Sequence, residues 1–300
     1  MKKKFTFKLK KKIMNILGIN AYHGDASACI IVNNKLVAAA EEERFNRIKH
    51  SAGFPYESIK FCLNYSGLKI SSINHIAINR NPNSRVLPKL IFSSKKLFNL
   101  NFLRDRLNNF KKIYSVEKSL NDYFGENINA KFHFIDHHLS HIASSIYFSK
   151  FEECNFISID GFGDFASTIV GHFDGKKINK HYEVLFPHSL GLFYTGITQF
   201  LGFKNYGDEY KVMGLAPYGK PLYYDKIKNI IFKEKNKKFK LNLNYFIHHS
   251  HGVEMTWLDS EPKIGNVYST KLEKLLGNER TQKKSHSISY GCCSFCTKSF

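Results

Sequence analysis

The sequence predicts an α/β protein built from two related halves. Two strand–turn–strand segments, 16–39 and 156–178, support this prediction. Each begins with an apolar run, turns at a Gly-Asp pair, continues as a second apolar run and ends in a turn dipeptide. Strands and hairpins precede helical segments in both halves, which is typical of an α/β duplication. The 43% apolar content of the 300 residues is enough for a sizeable core.

The first half is predicted over residues 14–150, after a basic tail at 1–13. Its elements follow from period-2 or helical spacing bounded by turn residues. They are two strands around an Asn-Asn turn at 15–40, a helix at 56–66, strands at 73–79 and 131–136, and a helix at 137–149.

The second half is predicted over residues 151–284 and is incomplete at its carboxyl end. It begins with a buried strand at 155–160. A helix rich in Gly and aromatic residues follows at 186–203, and a loop with a short helical core at 207–220.

A basic, amphipathic segment at residues 85–125 interrupts the first half. Its apolar residues have mixed helical spacing. A solvated helical insertion is the favoured interpretation, because charged runs on helices are usually solvated faces. A mobile cap over a site is the alternative.

The net charge of +20 raises the question of nucleic-acid binding. We do not predict it, because the excess is mostly lysine in a chain rich in Asn, Ile and Phe, and no basic stripe alternates with aromatic residues. No apolar run reaches membrane-spanning length, and no apolar region typical of a signal peptide follows the basic amino end. Single cysteines in apolar contexts favour a cytoplasmic protein.

The two Gly-Asp turns, Gly24-Asp25 and Gly163-Asp164, are candidate phosphate-binding elements. Backbone N–H groups at a glycine can approach phosphate oxygens closely, and the aspartate can hold a metal or a water. An ordinary β-turn is the alternative for either one alone. Their matching positions favour the phosphate-binding arrangement of the actin/hexokinase/Hsp70-type fold.

His137 and His141 are a candidate metal pair, because residues i and i+4 share one face of a helix. Asp160 ends the strand at 155–160, so its carboxylate is expected at the strand's carboxyl edge, where it could be a third ligand. A zincin would need Glu where His138 stands, which excludes that metalloprotease signature. A surface histidine pair is the alternative.

His23 and Lys49 each have two interpretations. His23 precedes the first Gly-Asp turn and is either a general base or a turn histidine. Lys49 follows a charged run and is either a phosphate contact or a solvated side chain.

Six segments together resemble the nodulation-type O-carbamoyltransferase family, in the family's order. They are GINAYHGDASA (18–28), EEERFNRIKHSAGFP (41–55), IDHHLSHIASSIYFS (135–149), ISIDGFGDFAST (157–168), LGLFYTGITQFLGF (190–203) and GDEYKVMGLAPYGK (207–220).

The resemblance implies an ASKHA fold with RNase H-like halves, joined in the family to a YrdC-like domain. That domain makes carbamoyl-adenylate from ATP and carbamoyl phosphate, and the ASKHA domain passes the carbamoyl group to a hydroxyl of a sugar or small-molecule acceptor. A homodimer is compatible with it.

The resemblance also implies roles for individual residues. An iron-type divalent ion is expected on His137, His141 and Asp160, and His23 and Lys49 match residues near the adenylate. The residues expected to bind the cofactor are Gly24, Asp25, Lys49, Gly163, Asp164, Lys211 and Gly214.

The chain departs from the family pattern at its carboxyl end. A Gly-Gly-x-x-x-Asn loop, a further Asp ligand and the YrdC-like domain are missing by residue 300. Residues 285–300 have neither helical nor strand periodicity, and we expect them to be out of frame. The expected protein is thus a truncated N-terminal fragment with little activity alone.

Two other functions stay open from the sequence. One is an inactive homologue that binds a nucleotide or a metal. The other is a sugar kinase on the same fold, which the His-x-x-x-His disfavours because such kinases use carboxylates and Mg²⁺.

Overall fold

The structure is a computed structural model. It describes residues 14–94, 114–125, 128–234, 238–253, 255–258, 261–277 and 279. The chain divides into two compact units, Met1–Ile78 with Tyr114–Phe134 and Asn79–Ile113 with Ile135–Phe300. The domain boundaries expected from the sequence stay predictions, and the predicted tails 1–13 and 285–300 lie outside the described residues.

The strands, numbered along the chain, are β1 (Asn15–Asn20), β2 (Ser27–Val32), β3 (Lys35–Glu41), β4 (His75–Ile78), β5 (Lys131–Phe134), β6 (Cys154–Gly163), β7 (Ala166–Phe173), β8 (Ile178–Leu185), β9 (Ile231–Lys233), β10 (Phe239–Leu241), β11 (Met255–Leu258) and β12 (Glu261–Ile264). The helices are α1 (Glu43–Asn46), α2 (Tyr56–Ser66), α3 (Val86–Ser94), α4 (Val116–Phe124), α5 (His137–Ile146), α6 (Leu190–Phe200), α7 (Glu209–Leu215), α8 (Tyr224–Lys228), α9 (His248–His251) and α10 (Thr270–Leu276).

The first unit contains a five-stranded sheet in the order β3-β2-β1-β4-β5. Strands β1 to β3 form an antiparallel meander, and β4 and β5 are parallel to β1. This arrangement is that of an RNase H-like half, so the predicted α/β fold is confirmed.

The prediction of two strands at 15–40 was wrong, because the chain reverses twice there. It turns at Gly24-Asp25 between β1 and β2, and again at Asn33-Asn34 between β2 and β3. The φ angles of 51° at Asn33 and 65° at Asn34 are those of a two-residue hairpin turn, which asparagine tolerates better than most residues.

Helix α2 covers one face of this sheet. Its residues Ile59, Cys62 and Leu63 recur at helical spacing and are buried with Leu17 and Ile76 of the sheet. Burial of each such aliphatic side chain contributes roughly 1.5–3 kcal/mol.

The start and the end of α2 are both fixed by local chemistry. The buried carboxylate of Glu42 accepts the backbone N–H groups of Glu57 and Ser58 at 3.1 and 2.9 Å, which satisfies donors that the helix leaves unpaired. The helix ends at Gly67 with a left-handed φ of 66°.

The second unit contains an antiparallel meander of β6, β7 and β8. Its largest core surrounds α6, where Phe193, Ile197 and Phe200 are fully buried. The expectation that β6 is a buried strand was wrong, since Ile157 and Ile159 are 62% and 47% exposed. Among the described residues, β6 pairs on one side only, with β7, and its outer edge is open.

The predicted insertion at 85–125 is helical at both ends, in α3 and α4, and residues 95–113 lie outside the described residues. Whether the segment is a solvated insertion or a cap stays a prediction. In the part of the chain that the structure describes, no helix combines the length and apolar character needed to cross a membrane.

His248 gives the second unit a predicted pH dependence. Its ring is fully buried beside Phe186 and Phe246, and its Nε2 lies 2.8 Å from the carbonyl oxygen of Pro187. Burial, followed by the charge of His249, lowers the pKa of His248 to about 4. The unfolded chain binds a proton on His248 more tightly than the folded chain does. The contribution of the neutral His248 ring to the free energy of unfolding is therefore complete above pH 6.5 and is lost as the pH falls towards 4.

We expect the free energy of unfolding of the wild type to fall by up to about 3 kcal/mol more than that of His248→Gln over this pH range. Urea unfolding at several pH values measures the difference. His251→Gln, which removes an exposed histidine of the same helix, is the matched control. Parallel pH profiles for the wild type and His248→Gln would contradict the prediction.

Candidate metal centre

Three potential metal ligands of the second unit converge on one point. The Nε2 atom of His137 lies 2.6 Å from Oδ2 of Asp160, and Nε2 of His141 lies 3.1 Å from Nε2 of His137. His141 Nε2 is also 3.7 Å from the same carboxylate oxygen. The structure therefore brings together the residues that the sequence singled out as a ligand set.

The donor set fits a transition-metal ion. Two nitrogen donors bound at about 2.0–2.1 Å from one ion lie roughly 3 Å apart or slightly more, and the two Nε2 atoms are 3.1 Å apart. Two imidazoles and a carboxylate suit Fe, Zn, Mn or Co, and three protein ligands are what a site with an open position uses.

Exposure differs across the three ligands. The side chain of His137 is 4% exposed, whereas those of Asp160 and His141 are 36% and 56% exposed. The centre is thus anchored in the protein at His137 and open to solvent at His141, so that a substrate or water can reach it.

The carboxylate of the centre is ionised, although its partner His141 also holds a proton more tightly than usual. Burial alone would raise the pKa of Asp160, but the interactions with His137 and His141 lower it well below its ordinary value. The interaction with Asp160 raises the pKa of His141, against the effect of burial. Asp160 is therefore ionised at neutral pH and supplies a negative charge to the site.

Helix α5 places both histidines, and two carboxylates fix its first turn. Asp136 is its N-cap and accepts the N–H of Leu139 at 3.2 Å. Oδ2 of Asp164 accepts the N–H of His137 at 2.9 Å. The start of the helix, where the first ligand lies, is thus held from two sides.

The predicted phosphate-binding pair Gly163-Asp164 has other contacts in the structure. Gly163 ends β6, and the hairpin turn is Asp164-Phe165, with φ angles of 48° and 74°. A Cβ atom at Gly163 would overlap the ring of His137. Gly163 therefore allows the ring to approach β6, and Asp164 holds the histidine backbone; phosphate binding by either residue stays a prediction.

Asp160 is held in place from the side of α6. Ser189, the N-cap of α6, is fully buried and donates from Oγ to the carbonyl oxygens of Asp160 and Gly161 at 3.1 and 2.5 Å. A Cβ atom at Gly191 would lie 2.6 Å from the carbonyl carbon of Asp160, so only glycine permits this packing. Sequence reasoning missed both residues, although Ser before a helical pattern is a recognisable cap signal.

His138 is structural. Its ring is fully buried and lies 2.8 Å from Oγ of Ser158 and 3.1 Å from the carbonyl oxygen of Ala166. Nε2 must donate to the carbonyl, so Nδ1 accepts from the serine hydroxyl. Burial lowers the pKa of His138 and so keeps its ring neutral. The two hydrogen bonds of the ring join α5 to the β6–β7 hairpin.

Arg85 supports the N-cap of α5, and sequence reasoning missed it. Its guanidinium is 11% exposed and lies 2.5 Å from Asp136 and 2.9 Å from Glu183. It also donates to the carbonyl oxygen of Asp164 at 3.1 Å. Although burial opposes it, the interaction with Arg85 lowers the pKa of Asp136, so the cap is ionised.

Replacing Arg85 by methionine is expected to lower the free energy of unfolding by about 3 kcal/mol, because two largely buried carboxylates lose their cation. Lys180→Met is the matched control. It removes a 49% exposed partner that lies 3.1 Å from the same Glu183, and we expect it to cost less than about 1 kcal/mol. Equal losses in urea unfolding would contradict the assignment.

The first unit holds the other predicted residues near the amino end. His23, Gly24 and Asp25 share the β1–β2 turn, which Asn20 ties by donating to the carbonyl oxygens of Gly24 and Asp25 at 3.2 and 2.8 Å. His23 contacts the carbonyl of Gly24 at 3.2 Å, as a turn histidine does. Its role as a base stays a prediction.

His50, which sequence reasoning missed, joins the two predicted segments of this unit. Its Nδ1 lies 2.8 Å from Oδ1 of Asp25, and its backbone N–H donates to Glu43 at 2.8 Å. Asp25, Glu43 and His50 form a second cluster of potential metal ligands. Lys49, the preceding residue, is exposed, and a phosphate contact by it stays a prediction.

Lys211 and Gly214 both lie in α7 of the second unit. Nζ of Lys211 is 2.6 Å from Asp208, whose hydrogen bond raises the lysine pKa. A Cβ atom at Gly214 would meet nothing within 4 Å, so packing does not require glycine there. Cofactor binding by either residue stays a prediction.

Residues 15–267 match the sequence family described as Carbamoyltransferase N-terminus. The chain belongs to this family. The expected family resemblance is therefore confirmed over most of the sequence.

Several curated proteins are similar to this carbamoyltransferase N-terminus. An uncharacterised protein of Synechocystis sp. is 35% identical over 252 residues, which cover 81% of this chain and 41% of that protein. Nodulation protein NolNO of Sinorhizobium fredii is 35% identical over 205 residues, which cover 67% of this chain and 29% of that protein. The chain thus spans less than half the length of these relatives.

One solved structure, YeaZ from Pseudomonas aeruginosa, is similar to the chain at 11% identity and a TM-score of 0.31, covering 58% of this chain and 67% of that chain. A similarity this low does not bear on the function of the carbamoyltransferase N-terminus.

Proposed function

We propose that this chain is the N-terminal part of an O-carbamoyltransferase that acts in biosynthesis in the cytoplasm. Its reaction transfers a carbamoyl group from carbamoyl-adenylate, made from carbamoyl phosphate and ATP, to a hydroxyl of a small-molecule or sugar acceptor. A YrdC-like domain would make the carbamoyl-adenylate. The observation that carries the proposal is the convergence of His137, His141 and Asp160 within a carbamoyltransferase N-terminus.

His137, His141 and Asp160 would hold a divalent metal, with iron as the expected ion. When bound, such an ion supplies a Lewis acid that polarises the carbamoyl carbonyl. The negative charge of the ionised Asp160 attracts a cation. The buried ring of His137 would fix the position of the metal ion. The exposed His141 leaves the solvent side open to the substrate.

Transfer of the carbamoyl group forms one bond to carbon and breaks another. The acceptor oxygen attacks the carbamoyl carbon, and the bond between that carbon and the adenylate phosphate oxygen breaks. AMP leaves with the electron pair, and the hydroxyl proton passes to a base, for which His23 is the candidate.

The test uses the longest protein that the gene encodes, loaded with Fe²⁺ and given carbamoyl phosphate carrying a labelled carbon, ATP and a panel of sugars and polyols. Label on an acceptor hydroxyl together with AMP supports the proposal. ADP formed from ATP without carbamoyl phosphate would show a kinase instead. A metal-bound protein that transfers no label to any acceptor would favour an inactive homologue.

A further inference from the structure

Helix α3 of the second unit turns an apolar face outward. Its exposed residues recur at positions i, i+1, i+4, i+5 and i+8, so they share one side of the helix. Four of them, the apolar face of α3, are aliphatic: Val86, Leu87, Leu90 and Ile91 are 48%, 67%, 60% and 51% exposed. The fifth, Ser94, donates its hydroxyl to the carbonyl oxygen of Ile91 at 2.9 Å. Clustered exposed apolar residues of this kind mark an interaction site.

The opposite side of α3 attaches the helix to the second unit. The ring of Phe92 packs edge-on against Phe165 and Phe186, with ring centroids 5.8 and 5.0 Å apart. Lys89 donates from Nζ to the carbonyl oxygen of Pro82 at 3.0 Å. A surface helix usually packs its apolar stripe against the core, whereas these contacts hold the apolar face of α3 towards solvent.

The sequence around α3 is strongly basic. Residues 85–112 contain eight lysines and arginines and one aspartate, and the whole chain carries a net charge of +20. An apolar helix face within a basic segment is typical of helices that lie at the surface of an anionic bilayer. We propose that the apolar face of α3 binds the surface of an anionic lipid membrane.

The side chains of this face fit a lipid surface better than a protein partner. They are aliphatic, without the Tyr, Trp and Arg residues that dominate protein interfaces. Acyl chains require no hydrogen bonds, and the one hydroxyl on this side of α3 already donates to its own helix. Anionic head groups supply the charge that complements the basic segment, an attraction that salt screens.

The length of α3 determines how it meets the membrane. Its nine residues measure about 14 Å along the helix axis, less than half of the roughly 30 Å hydrocarbon core of a bilayer. The helix would therefore lie along the membrane surface with its apolar face among the acyl chains, and the contacts of Phe92 and Lys89 would keep the second unit on the water side.

The experiment is sedimentation of the chain with vesicles of phosphatidylcholine and phosphatidylglycerol, and in parallel with vesicles of phosphatidylcholine alone. The wild type should bind the mixed vesicles and should bind the neutral ones at least about tenfold more weakly, because the basic segment loses its anionic partner. Added salt should weaken binding to the mixed vesicles.

Leu87→Gln and Leu90→Gln test the apolar face without changing the charge. Each should raise the Kd for the mixed vesicles by about tenfold, roughly the effect of returning one leucine side chain from hydrocarbon to water. Leu222→Gln is the matched control, since it removes a 71% exposed leucine of the same unit outside α3, and it should leave the Kd unchanged. Because all three side chains are exposed, the melting temperatures should stay at the wild-type value.

Leu90→Trp reports insertion directly. The fluorescence of its added indole, taken as the difference from the wild type, should shift to shorter wavelength when mixed vesicles bind. An unshifted spectrum of the vesicle-bound variant would show that this side of α3 does not enter the bilayer, and would overturn the proposal.

Other results would also overturn it. One is no binding of the wild type to the mixed vesicles, and another is equal binding to both kinds of vesicle. Equal Kd values for Leu87→Gln and Leu222→Gln would show attraction by charge alone. A wild type that is dimeric by light scattering, with a monomeric Leu90→Gln, would identify a second copy of the chain as the occupant instead. The assay uses neither ATP nor carbamoyl phosphate, so its outcome does not depend on the proposed function.

Discussion

Replacing His137 or His141 by alanine is expected to weaken binding of a divalent metal by at least about 100-fold. Each change removes a whole ligand, and loss of even an indirect supporting contact costs roughly 10–100-fold. The wild type should bind one Fe²⁺ or Zn²⁺ at the point where the two Nε2 atoms, 3.1 Å apart, face each other. Elemental analysis after dialysis, followed by titration of the metal, measures the loss.

The two variants should differ in their stability. The side chain of His141 is 56% exposed, so its removal should leave the folded state nearly unchanged. The side chain of His137 is 4% exposed and 2.6 Å from Asp160, so its removal also leaves a cavity and one fewer partner for the carboxylate. His172→Ala, which removes a histidine paired with Glu153 at 3.0 Å, is the control that should retain the metal. Unchanged metal content in both ligand variants would refute the assignment.

Local patterns of the sequence predict much of this fold. The helix at Tyr56–Ser66 follows from apolar residues at i, i+3 and i+4 and from the glycine that ends it. The turn at Asn33-Asn34 follows from the tolerance of asparagine for positive φ. Both signals are carried by neighbouring residues and need no knowledge of the rest of the chain.

Burial across a sheet is not predictable in the same way. The apolar run NFISID predicted a buried strand, yet Ile157 and Ile159 of β6 are exposed in the described structure. A strand that is apolar on both faces is usually buried on both faces by other strands and helices. Which elements bury it depends on distant parts of the chain. The sequence of the strand alone cannot show whether its edge is paired.

Local sequence likewise predicts some residues of the candidate metal centre and misses others. The spacing of His137 and His141 and the position of Asp160 at a strand end predicted their convergence, because both arguments rest on the geometry of a single element. Arg85 and Ser189 act through contacts 51 and 29 residues away in sequence, with Asp136 and Asp160. No local pattern links such residues, and only the folded chain brings them together.

Gly163→Ala is expected to disrupt the centre without changing any ligand. The added Cβ atom would overlap the ring of His137, so either the ring or the β6 backbone must move. Overpacking of this kind typically costs about 1–3 kcal/mol, and a shift of His137 also separates it from His141 and Asp160. We therefore expect lower stability together with a loss of metal affinity of about tenfold or more, in line with supporting-contact variants elsewhere.

Gly161→Ala separates this packing effect from a general sensitivity of the strand end. Gly161 lies two residues earlier, beside the ligand Asp160, but a Cβ atom there would meet nothing within 4 Å. The Gly161→Ala variant should keep both its stability and its metal. The backbone N–H of residue 161 can still donate to Oδ1 of Asp160, as it does at 2.6 Å in the wild type. If the two variants lose metal equally, the glycine at 163 is not what positions His137. A selective loss in Gly163→Ala would instead show that the approach of β6 to α5 sets the geometry of the ligands, because the ligand atoms themselves are identical in both proteins.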